Sequence, residues 1–105
     1  MVVYISGKMR GYTREQIVSK FQASEEYLIE LGYSVENPAN VDNYMPEDST
    51  WVDLMLEDIK LLFSCHAIYM QADWQDSTGA KIEHDIAKHL GLKIFYESNI
   101  TTNDK

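Results

Sequence analysis

Apolar and polar positions alternate along this chain between short apolar runs and longer amphipathic stretches. The run Val2-Val3-Tyr4-Ile5 is continuous, β-branched and aromatic, as a strand buried on both faces requires. After a glycine-flanked polar loop, Thr13 with Gln16 three residues on makes a capping-box pattern that predicts a helix start. That helix would present Ile17, Phe21, Leu28 and Leu31 on one face and stop at Gly32. Residues 33–36 read as a second, short strand closed by Asn37-Pro38, and residues 39–49 lack periodicity and form the longest irregular loop. A second helix is predicted from Ser49 or Thr50, with Asp53 in its first turn and Val52, Met55, Ile59 and Leu62 as its apolar stripe. Residues 66–71 form the third strand. A polar loop then leads into a third helix carrying Ile82, Ile86 and Leu90 inward and Lys81, Asp85 and Lys88 outward. After Gly91, residues 92–96 are the fourth strand, and the polar tail from Glu97 is predicted to be loose.

The order β-α-β-α-β-α-β predicts an α/β fold: a short flavodoxin-like (Rossmann-like) parallel sheet, order 2-1-3-4, with helices on both faces. Residues 1–97 would form one domain and residues 98–105 a polar tail. In such sheets ligands bind beyond the carboxyl ends of the strands, where the order reverses. That rule brings together the loops after the first and third strands.

Composition changes this picture little. The 105 residues suffice for one core, with 45% hydrophobic and 25% charged positions. No apolar run is long enough to span a membrane and no signal peptide is visible, so membrane association is not expected. The lone cysteine, Cys65, fits a cytoplasmic location, and Cys65, His66, His84 and His89 lack zinc-ligand spacing, so no metal or cofactor is expected. The net charge of −8 disfavours nucleic-acid polymers, although Lys8, Arg10 and Arg14 form a local basic cluster suited to a small anion.

The loop and helix start from Asp73 to Glu83 hold the sharpest candidate. Glu83 lies in the first turns of a helix, where the macrodipole favours a carboxylate, and one step from Ile82, hence on the border of the core. It is either a reactive group or a solvated first-turn glutamate. Gly79 and Ala80 let the backbone approach a ligand closely, and Ser77 serves as a helix cap or a phosphate ligand. Asp58 shares a helix face with Leu54 and Leu61, where partial desolvation would raise its pKa toward that of a general acid; a boundary residue reaching solvent is the alternative. Tyr4 is a core residue or one that points its hydroxyl into the site. Lys8 and Arg10 are surface charges or phosphate contacts, and Trp51 and Trp74 are partial core or walls of a base pocket. Ser6-Gly7-Lys8 lacks the acidic pair of a receiver domain, and Gly7 and Gly11 make neither a dinucleotide fingerprint nor a P-loop. A flavin site stays open; it would make the protein yellow.

Together these residues resemble the nucleoside 2-deoxyribosyltransferase-like superfamily. Tyr4-Ile5-Ser6-Gly7-Lys8-Met9-Arg10-Gly11 looks like its Y-x-x-G-x-[MI]-R-G motif, and Asn37-Pro38-Ala39 follows the second strand as in its small phage and bacterial branch. Ser77-x-Gly79-Ala80-x-x-Glu83 looks like its S-x-G-x-x-x-E loop. The resemblance implies that Glu83 attacks the anomeric carbon, that Asp58 helps protonate the departing base and that Tyr4 orients the nucleophile. It further implies substrate contacts from Gly7, Lys8, Met9, Arg10, Ser77, Gly79 and Ala80. Serine at 77 with Arg10 and Lys8 points to the branch that hydrolyses (deoxy)nucleoside 5′-monophosphates. Asp76 next door, in the acidic role of true transferases, keeps deoxyribosyl transfer as the alternative, and a non-catalytic nucleotide sensor is a third reading. The resemblance also implies a homodimer or higher homo-oligomer. A neighbouring subunit usually supplies a polar residue from beyond the fourth strand; Asn99, Thr101 and Thr102 are the candidates here.

Overall fold

A computed structural model of the chain describes residues 1–43 and 45–97. Its elements are β1 (Val2–Ser6), α1 (Arg14–Glu30), β2 (Ser34–Glu36), a 3-10 turn (Pro38–Asn43), α2 (Trp51–Phe63), β3 (Ala67–Met70), a second 3-10 turn (Trp74–Asp76), α3 (Thr78–Leu90) and β4 (Lys93–Tyr96). The four strands form one open, all-parallel sheet in the order β2-β1-β3-β4. The expected α/β class and strand order are therefore present. Among the described residues no helix is long and apolar enough to cross a membrane.

Alternate residues of the inner strands feed two cores. Val3, Ile5, Ala67 and Tyr69 pack with Phe21 and Leu28 of α1, and Tyr4, Ile68 and Met70 pack with Leu62 of α2 and Ala80 and Ala87 of α3. Helix α1 thus covers one face, and α2 with α3 the other. The helix starts follow their sequence signals. Thr13 and Gln16 make a reciprocal capping box, as do Thr50 and Asp53, and Ser77 Oγ accepts from the Ala80 amide. Helix α1 ends where Gly32 takes a φ of +94°, a conformation open to glycine at little cost.

The inward faces differ from the sequence expectation in each helix. In α1 the buried positions are Phe21, Ser24 and Leu28, whereas Leu31 is 54% exposed. In α2 they are Met55 and Leu62, and Val52 is 56% exposed. In α3 they are Ala80, Glu83 and Ala87, while Ile82 and Ile86 flank them and Leu90 is 45% exposed. Small residues at 80 and 87 let α3 lie close on the sheet, and closeness rather than side-chain size selects the buried face. Part of the predicted irregular loop is the 3-10 turn Pro38–Asn43, entered through Asn37, whose Oδ1 accepts from the Ala39 amide at 2.9 Å.

Candidate functional site

Glu83 is the centre of the site. It stands between Ala80 and Ala87 on the buried face of α3 and is only 5% exposed, inside the core rather than on its border. One carboxylate oxygen accepts from Tyr4 Oη at 2.9 Å and the other from Ser6 Oγ at 2.6 Å. Both donors belong to β1. Residues two apart on a strand point to the same face, so Tyr4 and Ser6 reach the carboxylate side by side. Tyr4 was a candidate from sequence and Ser6 was not. The signal for Ser6 was available: a lone hydroxyl two positions beyond Tyr4 in an otherwise apolar strand.

Burial pushes the Glu83 pKa up from 4.5 to about 7, although the Ser6 and Tyr4 hydrogen bonds act against it. The Tyr4 hydroxyl is held well above its ordinary range, first by burial and then by the negative charge of Glu83 and of Asp58. Asp58 is half-buried on α2, and its negative charge is among the causes that raise the Tyr4 pKa.

This arrangement has a cost that depends on pH. Below about pH 4.5 the carboxyl is protonated in folded and unfolded chains alike and the shift costs nothing. As pH rises toward about 7, the unfolded chain has released a proton that the folded chain still holds, so stability falls. Above that range the loss levels off at about 3 kcal/mol. Glu83→Gln, neutral and of the same shape, should therefore be more stable than the parent at pH 8, by up to about 3 kcal/mol, with the difference fading toward pH 5. Urea unfolding at the two pH values measures it, and a difference independent of pH would contradict the assigned burial of charge.

The remaining candidates line two loops. A side chain added at Gly79 would meet Met55 Sδ at 3.5 Å, and Ser77 Oγ and Trp51 Cζ2 at 4.0 Å. This leaves a small gap at the start of α3, walled by the half-exposed indole of Trp51. Ala80 instead packs in the core. Ser77 Oγ spends an acceptor site on the Ala80 amide and keeps its own proton to donate, and Asp76 is exposed beside it. Trp74 is placed differently from Trp51: it stacks on His84 at a centroid distance of 4.3 Å, and His84 Nε2 meets Tyr96 Oη at 2.7 Å. His66 and His89 bond to backbone groups, and Cys65 is a buried free thiol whose pKa burial raises.

In the loop after β1, Arg10 is exposed, Met9 packs against the α1-side core, and Lys8 lies 5.9 Å from the Tyr12 ring centroid. Gly7 is confined by chemistry behind it, since any Cβ there would overlap the Gln71 amide. Asn99, Thr101 and Thr102 lie outside the described residues, as does the tail beyond residue 97. Among the described residues no group of His, Cys, Asp and Glu side chains is arranged to hold a metal ion. A surface groove between Tyr12, Gln16, Ser19 and Lys20 lies over α1, on the face of the sheet opposite Glu83.

No curated protein matches the sequence significantly. A family profile does, along residues 1–96, nearly the whole chain. The chain therefore belongs to the family described as Domain of unknown function (DUF4406).

Proposed function

We propose that the protein hydrolyses the N-glycosidic bond of (deoxy)nucleoside 5′-monophosphates through a glycosyl ester on Glu83. The single observation that carries this reading is a buried carboxylate gripped by Tyr4 and Ser6, with a second carboxylate, Asp58, acting on the same tyrosine. Ionised Glu83 attacks the anomeric carbon as the C–N bond to the base breaks, and Asp58 delivers a proton to the departing base. Water, deprotonated by Asp58, then cleaves the ester and regenerates Glu83. The two hydroxyl donors fix the carboxylate and stabilise its charge each time it is released.

Ser77 at the cap of α3, the half-buried Lys8 and the exposed Arg10 support a phosphate on the substrate. Trp51 beside Gly79 supports stacking with the base. Deoxyribosyl transfer would use the same Glu83 ester with a second base in place of water. The near-complete burial of Glu83 favours a second reading, a nucleotide-binding module without turnover. A homo-oligomer belongs to the proposal; exposed Val52, Leu56 and Phe63 on α2 are the apolar surface it would cover, and a monomer in sedimentation removes that part.

Incubation with each deoxynucleoside and ribonucleoside monophosphate, assayed for free base, tests the reading. Release is expected to rise with pH through about 7 as Glu83 ionises, giving an acidic limb in kcat/KM. Saturable stabilisation by a monophosphate without base release would select the binding module, and no effect of any nucleotide would end both readings.

A further inference from the structure

On the face of the sheet opposite Glu83, the Lys20 ammonium has all three of its protons committed. It donates to the Lys8 carbonyl at 2.9 Å and to Gln71 Oε1, and it pairs with Asp73 Oδ1 at 3.2 Å. Asp73 closes the ring. Its Oδ1 accepts from the Lys8 amide at 3.1 Å and its Oδ2 from Tyr12 Oη at 3.0 Å. Gln71 is itself fixed through Nε2 to the Lys20 carbonyl and Ser24 Oγ. Both loops at the carboxyl ends of β1 and β3 are therefore tied to α1 by one side chain.

Electrostatics give the contact a second consequence. Asp73 puts a negative charge within hydrogen-bond reach of the Lys8 backbone, in the loop that also carries Arg10. Unneutralised, that charge would repel a phosphate held by Lys8 and Arg10. The Lys20 side chain is only 23% exposed, so its neutralisation of Asp73 is little screened by water. Burial lowers the Lys20 pKa despite Asp73, while the Lys8 amide, Lys20 and Tyr12 outweigh burial to lower that of Asp73.

We propose that Lys20 is a positioning and specificity-determining residue: it holds the Lys8–Arg10 loop against the β3 loop and cancels Asp73, so that the site takes a phosphomonoester in preference to the uncharged nucleoside. The preference rests on the function proposed above; the loop anchoring does not. Lys20 lies on the α1 side and touches no reacting atom.

The test uses the full chain with Lys20→Met, which keeps the apolar stem, and Asp73→Asn as a second variant. Hydrogen exchange of the Lys8 amide should accelerate about tenfold or more in both variants. In Lys20→Met, KM for a nucleoside monophosphate should rise about tenfold, with kcat and the KM of the matching nucleoside little changed. Asp73→Asn loosens the loop but lacks the repelling charge, so it should retain more of the preference for the monophosphate. Unchanged Lys8 exchange in both variants overturns the anchoring, whatever the protein turns over. Accelerated exchange with an unchanged monophosphate-to-nucleoside ratio of kcat/KM overturns the specificity role. Parent protein inactive on every nucleotide and nucleoside refutes the proposed function and the specificity role with it, leaving Lys8 exchange to decide the anchoring.

Discussion

Glu83→Ala is expected to remove base release, lowering turnover on the order of 10⁴-fold or more, since it deletes the proposed covalent nucleophile. Each oxygen of Glu83 has one donor from β1, which aims the carboxylate and leaves its remaining lone pairs for an electrophile. Ser6 and Tyr4 cannot take over: both are buried hydroxyls, and the Tyr4 proton is held far above neutral pH. Alanine also leaves a small polar cavity with two donors facing it. Formate added to the variant should occupy that space and restore part of the activity. Undiminished base release by Glu83→Ala would place the chemistry elsewhere.

Asp58→Asn should cost about 10²- to 10⁴-fold, the usual contribution of a general acid or base. The loss should depend on the leaving group. A base already cationic, such as a 7-methylated purine, departs without being protonated, so its release from the sugar should be much less affected. Equal losses for ordinary and 7-methylated purines would show that Asp58 acts on something other than the departing base. Placement on α2, a different element from the β1 and α3 pair that holds Glu83, suits this division of labour between the two carboxylates. Single-turnover measurement with each substrate separates the glycosylation step from ester hydrolysis, where Asp58 would act as base on water.

The order of elements was readable because each signal is local. Thr13 with Gln16 and Thr50 with Asp53 mark helix starts through their own hydrogen bonds, and Gly32 marks an end through its backbone conformation. Facing was less readable, because it is settled by the partner surface. Ile82, Ile86 and Leu90 predicted one inward face of α3, but two alanines permit a closer approach to the sheet, and that rotation carries Glu83 inside. The spacing of two puts Ser6 on the Tyr4 face, but its partner across the layer, Glu83, was not readable from the strand alone. The Lys20 ring was invisible because it joins α1 and the loop after β1 to Gln71 and Asp73 after β3, across 51 to 65 positions of sequence.

The support of Glu83 by β1 has a bearing on how such a protein fails. Strand β1 is paired on both sides, to β2 and to β3, and it contributes to both cores. Segments of that kind open only with the whole domain, whereas sites assembled on surface loops lose their geometry by local opening at much lower free energy. The grip on the carboxylate therefore belongs to the global folding unit, and the chain has little room for partially active, locally melted states. Evolutionary change at this centre is constrained likewise: altering Tyr4 or Ser6 disturbs the middle of the sheet, so new specificity has easier access through the loops around Trp51, Arg10 and Ser77.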